Sequence, residues 1–176
     1  GIDDVGCGVL FGLNLYKYDF TGLLMHAEHL EAVHGVGPHT ISVPRLRNAD
    51  DVNAEDFKDG ISDELFQRIV AVLRIAVPYT GIIISTRESQ HTREMVLKYG
   101  VSQISGGSRT TVGGYAEEHQ DENSAQFEIS DHRSLDEVVH WLLENGHIPS
   151  FCTACYREGR TGVRFMSLVM GGQIRN

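Results

Sequence analysis

The sequence predicts an α/β fold in which short parallel strands alternate with helices, and three observations support this prediction. Residues 82–84 form an uncharged run of isoleucines, which is typical of a strand buried on both faces of a parallel sheet. Strand-like runs and segments with helical period follow one another along the chain, as in a series of βα units. Two neighbouring strand-like runs are also followed by serine and arginine, where such a sheet binds its ligands.

The first strand is predicted at residues 5–13. Its three glycines and its lack of charge indicate a buried strand that a neighbouring segment or a ligand approaches closely. The helix that follows is predicted to have Asp19 as its N-cap and to run to about His34. Gly35 then ends it.

The second strand is predicted at residues 39–43, and Pro44 ends it. Residues 48–59 are rich in acidic side chains and predict a surface loop. Ser62 is the predicted N-cap of the second helix, which Pro78 ends.

The third strand is predicted at residues 82–85, and its helix at residues 89–99 with Gly100 at the end. The fourth strand follows at residues 101–105. After a long connection, residues 126–130 alternate like a short edge strand.

The last predicted helix begins at a capping box formed by Ser134 and Glu137. It runs through Asn145, and Gly146 ends it. A final brief strand is predicted at residues 148–151.

Four βα units over 176 residues correspond to half of a (β/α)8 barrel, which takes about 250 residues. The alternative is a small flavodoxin-like open sheet. Residues 12–16, however, do not form the phosphate loop that such folds usually carry after the first strand. The chain starts at Gly1 rather than at a methionine, and we therefore expect a fragment of a longer protein.

The composition argues against several classes of partner. With 15 Lys and Arg against 24 Asp and Glu, the net charge of −9 disfavours nucleic acid. No apolar run approaches the roughly 18 residues that a membrane span needs. The 3 cysteines and the lack of a signal peptide predict a reduced, cytoplasmic protein and not a disulfide scaffold.

Polar side chains at the ends of the third and fourth strands predict a ligand pocket. Ser85, Thr86 and Arg87 follow the third strand, and Ser105 ends the fourth. An arginine there can bind a carboxylate through two parallel hydrogen bonds. Ser105 can accept a hydrogen bond from an ammonium group or donate one to a carboxylate, and its alternative is a simple turn residue. Together the two suit an α-amino acid. The alternative for Arg87 is a surface ion pair with a neighbouring glutamate.

The segment after the fourth strand, residues 106–110, resembles a nest of backbone N–H groups for an anion. It includes Ser108 and Arg109, and it is equally readable as a flexible loop. Arg45 also follows a strand and would add a third positive group to the same edge. Three arginines at one edge of a chain of net charge −9 favour an anionic or zwitterionic ligand.

Cys152 and Cys155 have the spacing of metal ligands. A structural zinc would need two more ligands. Two thiolates of an iron–sulfur cluster, with a third supplied from outside the chain, are an equally consistent interpretation. His26, at the edge of the apolar face of its helix, is the histidine best placed to reach a ligand.

Several stretches together resemble the HydG family, the radical S-adenosylmethionine tyrosine lyases that mature FeFe-hydrogenases. They are GVLFGL, HAEHLEAVHG, TISVPRL, STRES, VSQISGGSRTTVGGY and PSFCTACYREGRTG, and the resemblance covers essentially the whole chain. The related thiazole-biosynthesis tyrosine lyases (ThiH) are the nearest relatives of that family. The region also resembles the biotin and thiamin synthesis associated domain.

The resemblance implies a radical S-adenosylmethionine barrel with a catalytic 4Fe–4S cluster and a second cluster in a C-terminal extension. A 5′-deoxyadenosyl radical would start the cleavage of tyrosine to p-cresol and dehydroglycine, and the latter would yield CO and cyanide for the hydrogenase cofactor. Residues 1–133 would then be the C-terminal half of the barrel. Residues 134–176 would form its last helix and strand and the start of the extension.

The resemblance also implies roles for single residues. Arg87 and Ser105 would hold the carboxylate and amino groups of tyrosine, and Ser108 and Arg109 would belong to the same substrate site. Leu10 would touch the adenine of S-adenosylmethionine, and Arg45 would line the shared cavity. The implied metal ligands are Cys152 and Cys155 for the second cluster and His26 for its additional iron.

Departures from the family pattern limit what this chain would do alone. The C-x3-C-x2-C loop for the catalytic cluster is absent, and Leu15 stands where the family has a glutamate. The third cysteine of the second cluster would fall beyond Asn176. We therefore expect the chain alone to bind no complete cluster and to be inactive. Its expected partners are tyrosine, the missing N-terminal half-barrel, and further copies of itself through the open sheet edges.

Three other functions stay open at this point. The chain could be a non-catalytic binding or structural module of the same fold, or part of a ThiH-like lyase of thiamine biosynthesis. A small zinc-binding regulator that uses Cys152 and Cys155 is the third.

Overall fold

The structure is a computed structural model that describes residues 5–48, 52–110, 129–151 and 162–173. Its strands are β1 (Gly6–Gly8), β2 (Thr40–Ser42), β3 (Gly81–Ile84) and β4 (Gln103–Ile104). Its helices are α1 (Tyr16–His34), α2 (Asp63–Ala76), α3 (Gln90–Leu97), α4 (Leu135–Glu144) and α5 (Gly162–Met170), with a 3-10 turn at Ala54–Asp56. Among the described residues, no helix is both long and apolar enough to cross a membrane.

The strands form one parallel sheet in the order β1-β2-β3-β4. Thr40 lies between Gly6 and Gly81, and Ile84 pairs with Ile104. A helix follows each of the first three strands, and each of these connections leads to a neighbouring parallel strand. The predicted parallel α/β fold is therefore confirmed. Within the described residues, β1 and β4 are the edges of the sheet.

The helices cover one face of this sheet. Ile41 and Ile82 are fully buried on that face, against Phe66 and Leu73 of α2. The whole core cluster consists of Phe11, Leu23, Ala27, Ile41, Val43, Phe66, Ile69, Val70, Leu73, Val77, Ile82, Ile84, Val96 and Val101. A second cluster on α4, built from Val138, Trp141 and Leu142, packs against Leu97 and Ile104.

The opposite face of the sheet has no helix layer among the described residues, and we call it the open face. Its side chains, small or polar apart from Ile83, come from Gly6, Gly8, Thr40, Ser42, Gly81, Ile83 and Gln103. None of them is buried. The expectation that the first strand is buried was therefore wrong, because only Cys7 of β1 packs against the core. A Cβ atom on Gly8 would come within 2.8 Å of the Ser42 carbonyl oxygen, so this glycine allows a neighbouring strand to approach closely.

Most predicted helix ends are confirmed. Ser62 accepts a hydrogen bond from the Leu65 backbone N–H at the start of α2, and Ser134 forms the predicted capping box at the start of α4. Gly35 ends α1 in the left-handed conformation with φ 71. Asp19 is not an N-cap, because α1 begins earlier, at Tyr16, and has no side-chain cap.

The strands are shorter than predicted, and one of them is not formed. Gly12 has φ 106 and takes the chain out of β1, so that Phe11 forms only an isolated parallel bridge with Arg45. Residues 148–151 form no strand, and Ile148 is 93% exposed. The predicted strand at 126–130 falls mostly outside the described residues. Helix α5 was not predicted.

Candidate functional site

The predicted ligand pocket corresponds to the carboxyl ends of β3 and β4. The Ser105 N–H donates to the Ile84 carbonyl at 3.2 Å, which holds the end of β4 beside the end of β3. After β3 the chain turns, because the Glu88 N–H donates to the Ser85 carbonyl at 3.3 Å. The Ser85 hydroxyl also accepts a hydrogen bond from the Arg87 N–H at 3.4 Å. Arg87 and Ser105 thus follow adjacent strands at one end of the sheet.

Burial alternates through this segment. Ile82, Ile84, Thr86 and Glu88 are buried, whereas the residues between them, Ile83, Ser85 and Arg87, are half-buried. Arg87 itself belongs to the turn that follows β3, and it is half-buried there. Burial lowers the pKa of Arg87, and the nearby charge of Glu88 opposes that effect. An arginine stays protonated in proteins, so this site keeps a cation at all ordinary pH values.

Ser105 lies toward the open face. The side chain of Ile104 packs against the core, and the residue on either side of it in an extended segment points the opposite way. Gln103 is accordingly beside Gly81 on the open face, where a Cβ atom on Gly81 would meet the Gln103 side chain. Ser105 continues that side and is half-buried.

Arg45 lies on the helix-covered side. It is 3% exposed, stacks over the Phe66 ring at 4.5 Å, and donates from Nε to a Glu88 carboxylate oxygen at 2.9 Å. A second guanidinium nitrogen pairs with Asp63 at 2.7 Å. Burial by itself would lower the pKa of Arg45, but its bonds to Glu88 and Asp63 outweigh burial and raise it. Arg45 was expected to add a third positive charge to the edge that carries Arg87. It does not, because Glu88 and Asp63 neutralise its charge.

Glu88 organises this part of the molecule, a role that the sequence analysis missed. It is 1% exposed and also accepts a hydrogen bond from Arg47 at 2.7 Å. These bonds to Arg45 and Arg47 fix the residue that follows Arg87.

A second buried ion pair lies beyond the end of β4. Arg93 of α3 is completely buried and donates to the Asp131 carboxylate and to the Ser105 carbonyl. Arg133 donates to the same carboxylate at 2.9 and 2.6 Å. Burial would raise the pKa of Asp131, but hydrogen bonds and charges from Arg133 and Arg93 lower it to about 2.

This shift predicts a dependence of stability on acid. The folded-state pKa of Asp131 is below its unfolded value of about 3.9, so the carboxylate stabilises the fold above about pH 4. That contribution is lost as the pH falls towards about 2. We expect Asp131→Asn to lower the free energy of unfolding at neutral pH and to flatten its decline between about pH 5 and about pH 2.

Urea denaturation of the wild type and the variant across this range measures both effects. Glu144 is exposed, and Glu144→Gln therefore serves as the control. In this variant the free energy of unfolding should decline with falling pH as it does in the wild type. The prediction would be contradicted if the free energy of unfolding declined equally with falling pH in the wild type and in Asp131→Asn.

The loop after β4 is only partly available for an anion. Gly107 has φ 62, and its N–H donates to the Arg133 carbonyl at 3.2 Å, so this donor is already used. Ser108 is half-buried and Arg109 is exposed. Residues 111–128 lie outside the described part of the chain. The assignment of Ser108 and Arg109 to the substrate site stays a prediction.

Leu10 lies at the carboxyl end of β1 on the open-face side. Its neighbours Val9 and Phe11 pack against the core on the opposite side, and Leu10 itself is half-buried and outside the core cluster. The assignment of Leu10 to the adenine of S-adenosylmethionine stays a prediction.

Of the predicted metal ligands, the structure describes His26 alone. Cys152 and Cys155 lie outside the described residues. His26 has its Nδ1 atom 4.0 Å from the Cys7 sulfur, next to the edge strand β1. Burial raises the pKa of Cys7, which keeps it a thiol. In the described ranges no group of three or more potential ligands surrounds a metal position.

Comparison with known proteins gives one family match. The sequence profile of the Biotin and Thiamin Synthesis associated domain matches residues 42–148. This range runs from the last residue of β2 to beyond α4 and includes Arg45, Arg87 and Ser105.

Curated relatives are similar over most of the chain. It is 30% identical over 150 residues to the 2-iminoacetate synthase of Salmonella typhimurium, which covers 85% of this chain and 39% of that protein. The 2-iminoacetate synthase of Escherichia coli is 30% identical over 151 residues, with the same coverage of 85% and 39%. The chain therefore spans about two fifths of the length of these relatives.

Solved structures show closer similarity. A crystal structure of HydG, a maturase of the FeFe-hydrogenase, superposes with a TM-score of 0.90 at 56% identity, over 98% of this chain and 37% of that one. HydG from Carboxydothermus hydrogenoformans gives a TM-score of 0.77 at 51% identity, over 90% and 35%. The fold and the family resemblance read from the sequence are both confirmed by these comparisons.

Proposed function

Because the chain belongs to the Biotin and Thiamin Synthesis associated domain family, we propose that it supplies the tyrosine-binding part of a radical S-adenosylmethionine tyrosine lyase. In this proposal the longer protein cleaves tyrosine to p-cresol and dehydroglycine. The latter provides CO and cyanide for assembly of the FeFe-hydrogenase cofactor. The chain alone, without the loop for a catalytic cluster, does not carry out the reaction.

One observation carries the proposal. Arg87 and Ser105 follow two adjacent parallel strands, joined by the hydrogen bond from the Ser105 N–H to the Ile84 carbonyl, and both are half-buried. Carboxyl ends of parallel strands are where such folds bind ligands. A guanidinium and a hydroxyl at adjacent strand ends suit the carboxylate and ammonium groups of a free amino acid.

The two groups have separate tasks. Arg87 binds the tyrosine carboxylate through two parallel hydrogen bonds, which fixes the plane of the head group. Ser105 accepts a hydrogen bond from the ammonium group and sets which hydrogen of the substrate faces the interior. Two buried neighbours, Thr86 and Glu88, hold the backbone on either side of Arg87.

S-adenosylmethionine, when bound, supplies the radical chemistry, and this chain contributes contacts to it. The half-buried Leu10 fits the adenine ring from the end of β1. Cys152 and Cys155 have the spacing to ligate a second cluster together with a thiolate from elsewhere, and His26 is the proposed ligand for its additional iron. These metal assignments rest on the family resemblance.

Two related activities are candidates for the longer protein. Identity of 51% to 56% with the HydG structures, against 30% with the 2-iminoacetate synthases, favours the hydrogenase-maturation activity. The alternative is release of the tyrosine-derived fragment without further breakdown, as the name 2-iminoacetate synthase indicates for those proteins.

Product analysis tests the proposal. The full-length protein, with reconstituted clusters, is incubated with S-adenosylmethionine, a reductant and isotope-labelled tyrosine. We expect p-cresol together with labelled CO and cyanide, and we expect none of them from this chain alone. p-Cresol without CO and cyanide would favour the 2-iminoacetate synthase activity. Absence of p-cresol from a protein with both clusters intact would contradict the lyase assignment.

A further inference from the structure

Two arginines join β3 and β4 from opposite ends of the sheet. At the amino ends, Arg74 donates to the Thr80 carbonyl at 2.7 Å, just before β3, and to the Gly100 carbonyl at 2.7 Å, in the turn before β4. At the carboxyl ends, Arg93 donates to the Ser105 carbonyl and to the Asp131 carboxylate. Only the second arginine is at the end of the sheet that carries Arg87.

Asp131 connects Arg93 to the other strand. Its backbone N–H donates to the Thr86 carbonyl at 3.1 Å, and the N–H of Ser130 donates to the same oxygen at 3.0 Å. Thr86 is the residue directly before Arg87. A continuous path of contacts therefore runs from the Ser105 carbonyl through Arg93 and Asp131 to the backbone at Thr86.

We propose that the buried Arg93–Asp131 pair is a positioning device that sets the separation between the Arg87 guanidinium and the Ser105 hydroxyl. It thereby determines the affinity of the site for the head group of an α-amino acid. This inference rests on the proposed function, because it assigns the pair a role in the same tyrosine site. Neither Arg93 nor Asp131 needs to touch the substrate.

The sheet alone does not fix this separation. β4 ends at Ile104, and Ser105 follows it with its N–H donated to Ile84. Its carbonyl is held by Arg93, a fully buried side chain whose charge is balanced by Asp131. Loss of the Asp131 charge would leave Arg93 buried without its counter-charge, and loss of the Arg93 guanidinium would leave the Ser105 carbonyl without this donor, so that the local backbone would rearrange.

Helix α4 supports the pair from outside. Arg133 binds Asp131 at 2.6 Å and stacks over the Trp141 ring at 4.4 Å, while its carbonyl accepts from the Gly107 N–H at 3.2 Å. The segment that carries Asp131 is thus attached to α4 as well as to the end of β3. Its position is determined from several sides, as a rigid support for a binding site requires.

The experiment compares Arg93→Lys with Arg74→Lys in the full-length protein. Both variants keep a positive charge and remove a guanidinium that joins the two strands, so both should lower the melting temperature. We expect Arg93→Lys to raise the KM for tyrosine by about tenfold or more, since small displacements of binding groups have large effects. Arg74→Lys should change it by less than about twofold. Equilibrium dialysis with labelled tyrosine provides the same comparison without catalysis.

Arg133→Gln is the second variant, because Arg133 is partly exposed and its loss is easier to accommodate than loss of Arg93. Like Arg93→Lys, it should raise the KM for tyrosine, but with a smaller loss of stability. If Arg93→Lys does not fold, Arg133→Gln against Arg74→Lys decides the question.

Three outcomes separate the inference from the proposed function. A higher KM and weaker dialysis binding in Arg93→Lys or Arg133→Gln, but not in Arg74→Lys, would support the positioning role. If Arg93→Lys, Arg133→Gln and Arg74→Lys all have the same KM for tyrosine, while Arg87→Ala still binds tyrosine more weakly, the positioning role would be overturned and the tyrosine site would stand. Unchanged binding in Arg87→Ala as well would overturn the proposed site itself.

Discussion

Replacing Arg87 by alanine in the full-length protein should weaken tyrosine binding by about 2–4 kcal/mol. The guanidinium is half-buried at the end of β3, where burial strengthens its attraction to a carboxylate and no water can fully replace it. Removal leaves the tyrosine carboxylate desolvated without its principal partner. Isothermal titration or equilibrium dialysis with tyrosine measures the loss directly.

Arg68→Ala is the matched control for charge. Arg68 is on α2 and is 72% exposed in a surface pair with Glu64, away from the ends of the strands. Its removal should leave tyrosine affinity unchanged. A dissociation constant for Arg87→Ala equal to that of the control would show that Arg87 does not bind the carboxylate.

Replacing Glu88 by glutamine should lower the free energy of unfolding by about 3–5 kcal/mol. The carboxylate is 1% exposed and compensates two arginines, Arg45 and Arg47. Asp63 also pairs with Arg45, but its side chain is 54% exposed and therefore compensates less effectively. A neutral amide at position 88 leaves the buried Arg45 charge largely unbalanced. Urea denaturation of this chain is the measurement.

The exposed ion pair on α2 again provides the comparison. Glu64→Gln breaks a pair whose side chains are 76% and 72% exposed, and such pairs contribute about 0–1 kcal/mol. Similar losses in Glu64→Gln and Glu88→Gln would mean that burial of the Glu88 pair adds nothing to its strength.

Local patterns in the sequence predicted the elements and most of their ends. Ser62 and Ser134 were recognisable as caps because a serine followed by acidic residues in the first turn satisfies the free N–H groups of a helix. Gly35 was recognisable because a left-handed residue commonly ends a helix and glycine adopts that conformation without strain. Both kinds of signal act over a few residues and need no tertiary information.

The wrong prediction of Asp19 as the N-cap of α1 is explained by packing against the core. The Asn14 side chain accepts a hydrogen bond from the Leu15 N–H at 2.8 Å just before α1, and Tyr16 and Phe20 then pack against the core. Apolar contact with the sheet extends the helix by a turn without a side-chain cap. Tertiary packing of this kind overrides a local preference for aspartate at the start of a helix.

The supports of the site could not be predicted. Arg45 and Glu88 are 43 residues apart in sequence, and Arg93 and Asp131 are 38 apart. No periodicity links such pairs, and single charged residues usually indicate a solvated surface. The pattern predicted Arg87 and Ser105 because parallel strands end at one edge, whereas the buried charges that hold the two strand ends are a property of the folded chain alone.

The most direct test of the tyrosine site compares tyrosine with tyramine, which lacks the carboxylate, in the wild type and in Arg87→Ala. If the guanidinium holds the carboxylate, the wild type should prefer tyrosine by at least about tenfold, and this preference should disappear in the variant. Equal affinities for tyrosine and tyramine in the wild type, or a preference that persists in Arg87→Ala, would contradict the assignment of the carboxyl ends of β3 and β4 as an amino acid site.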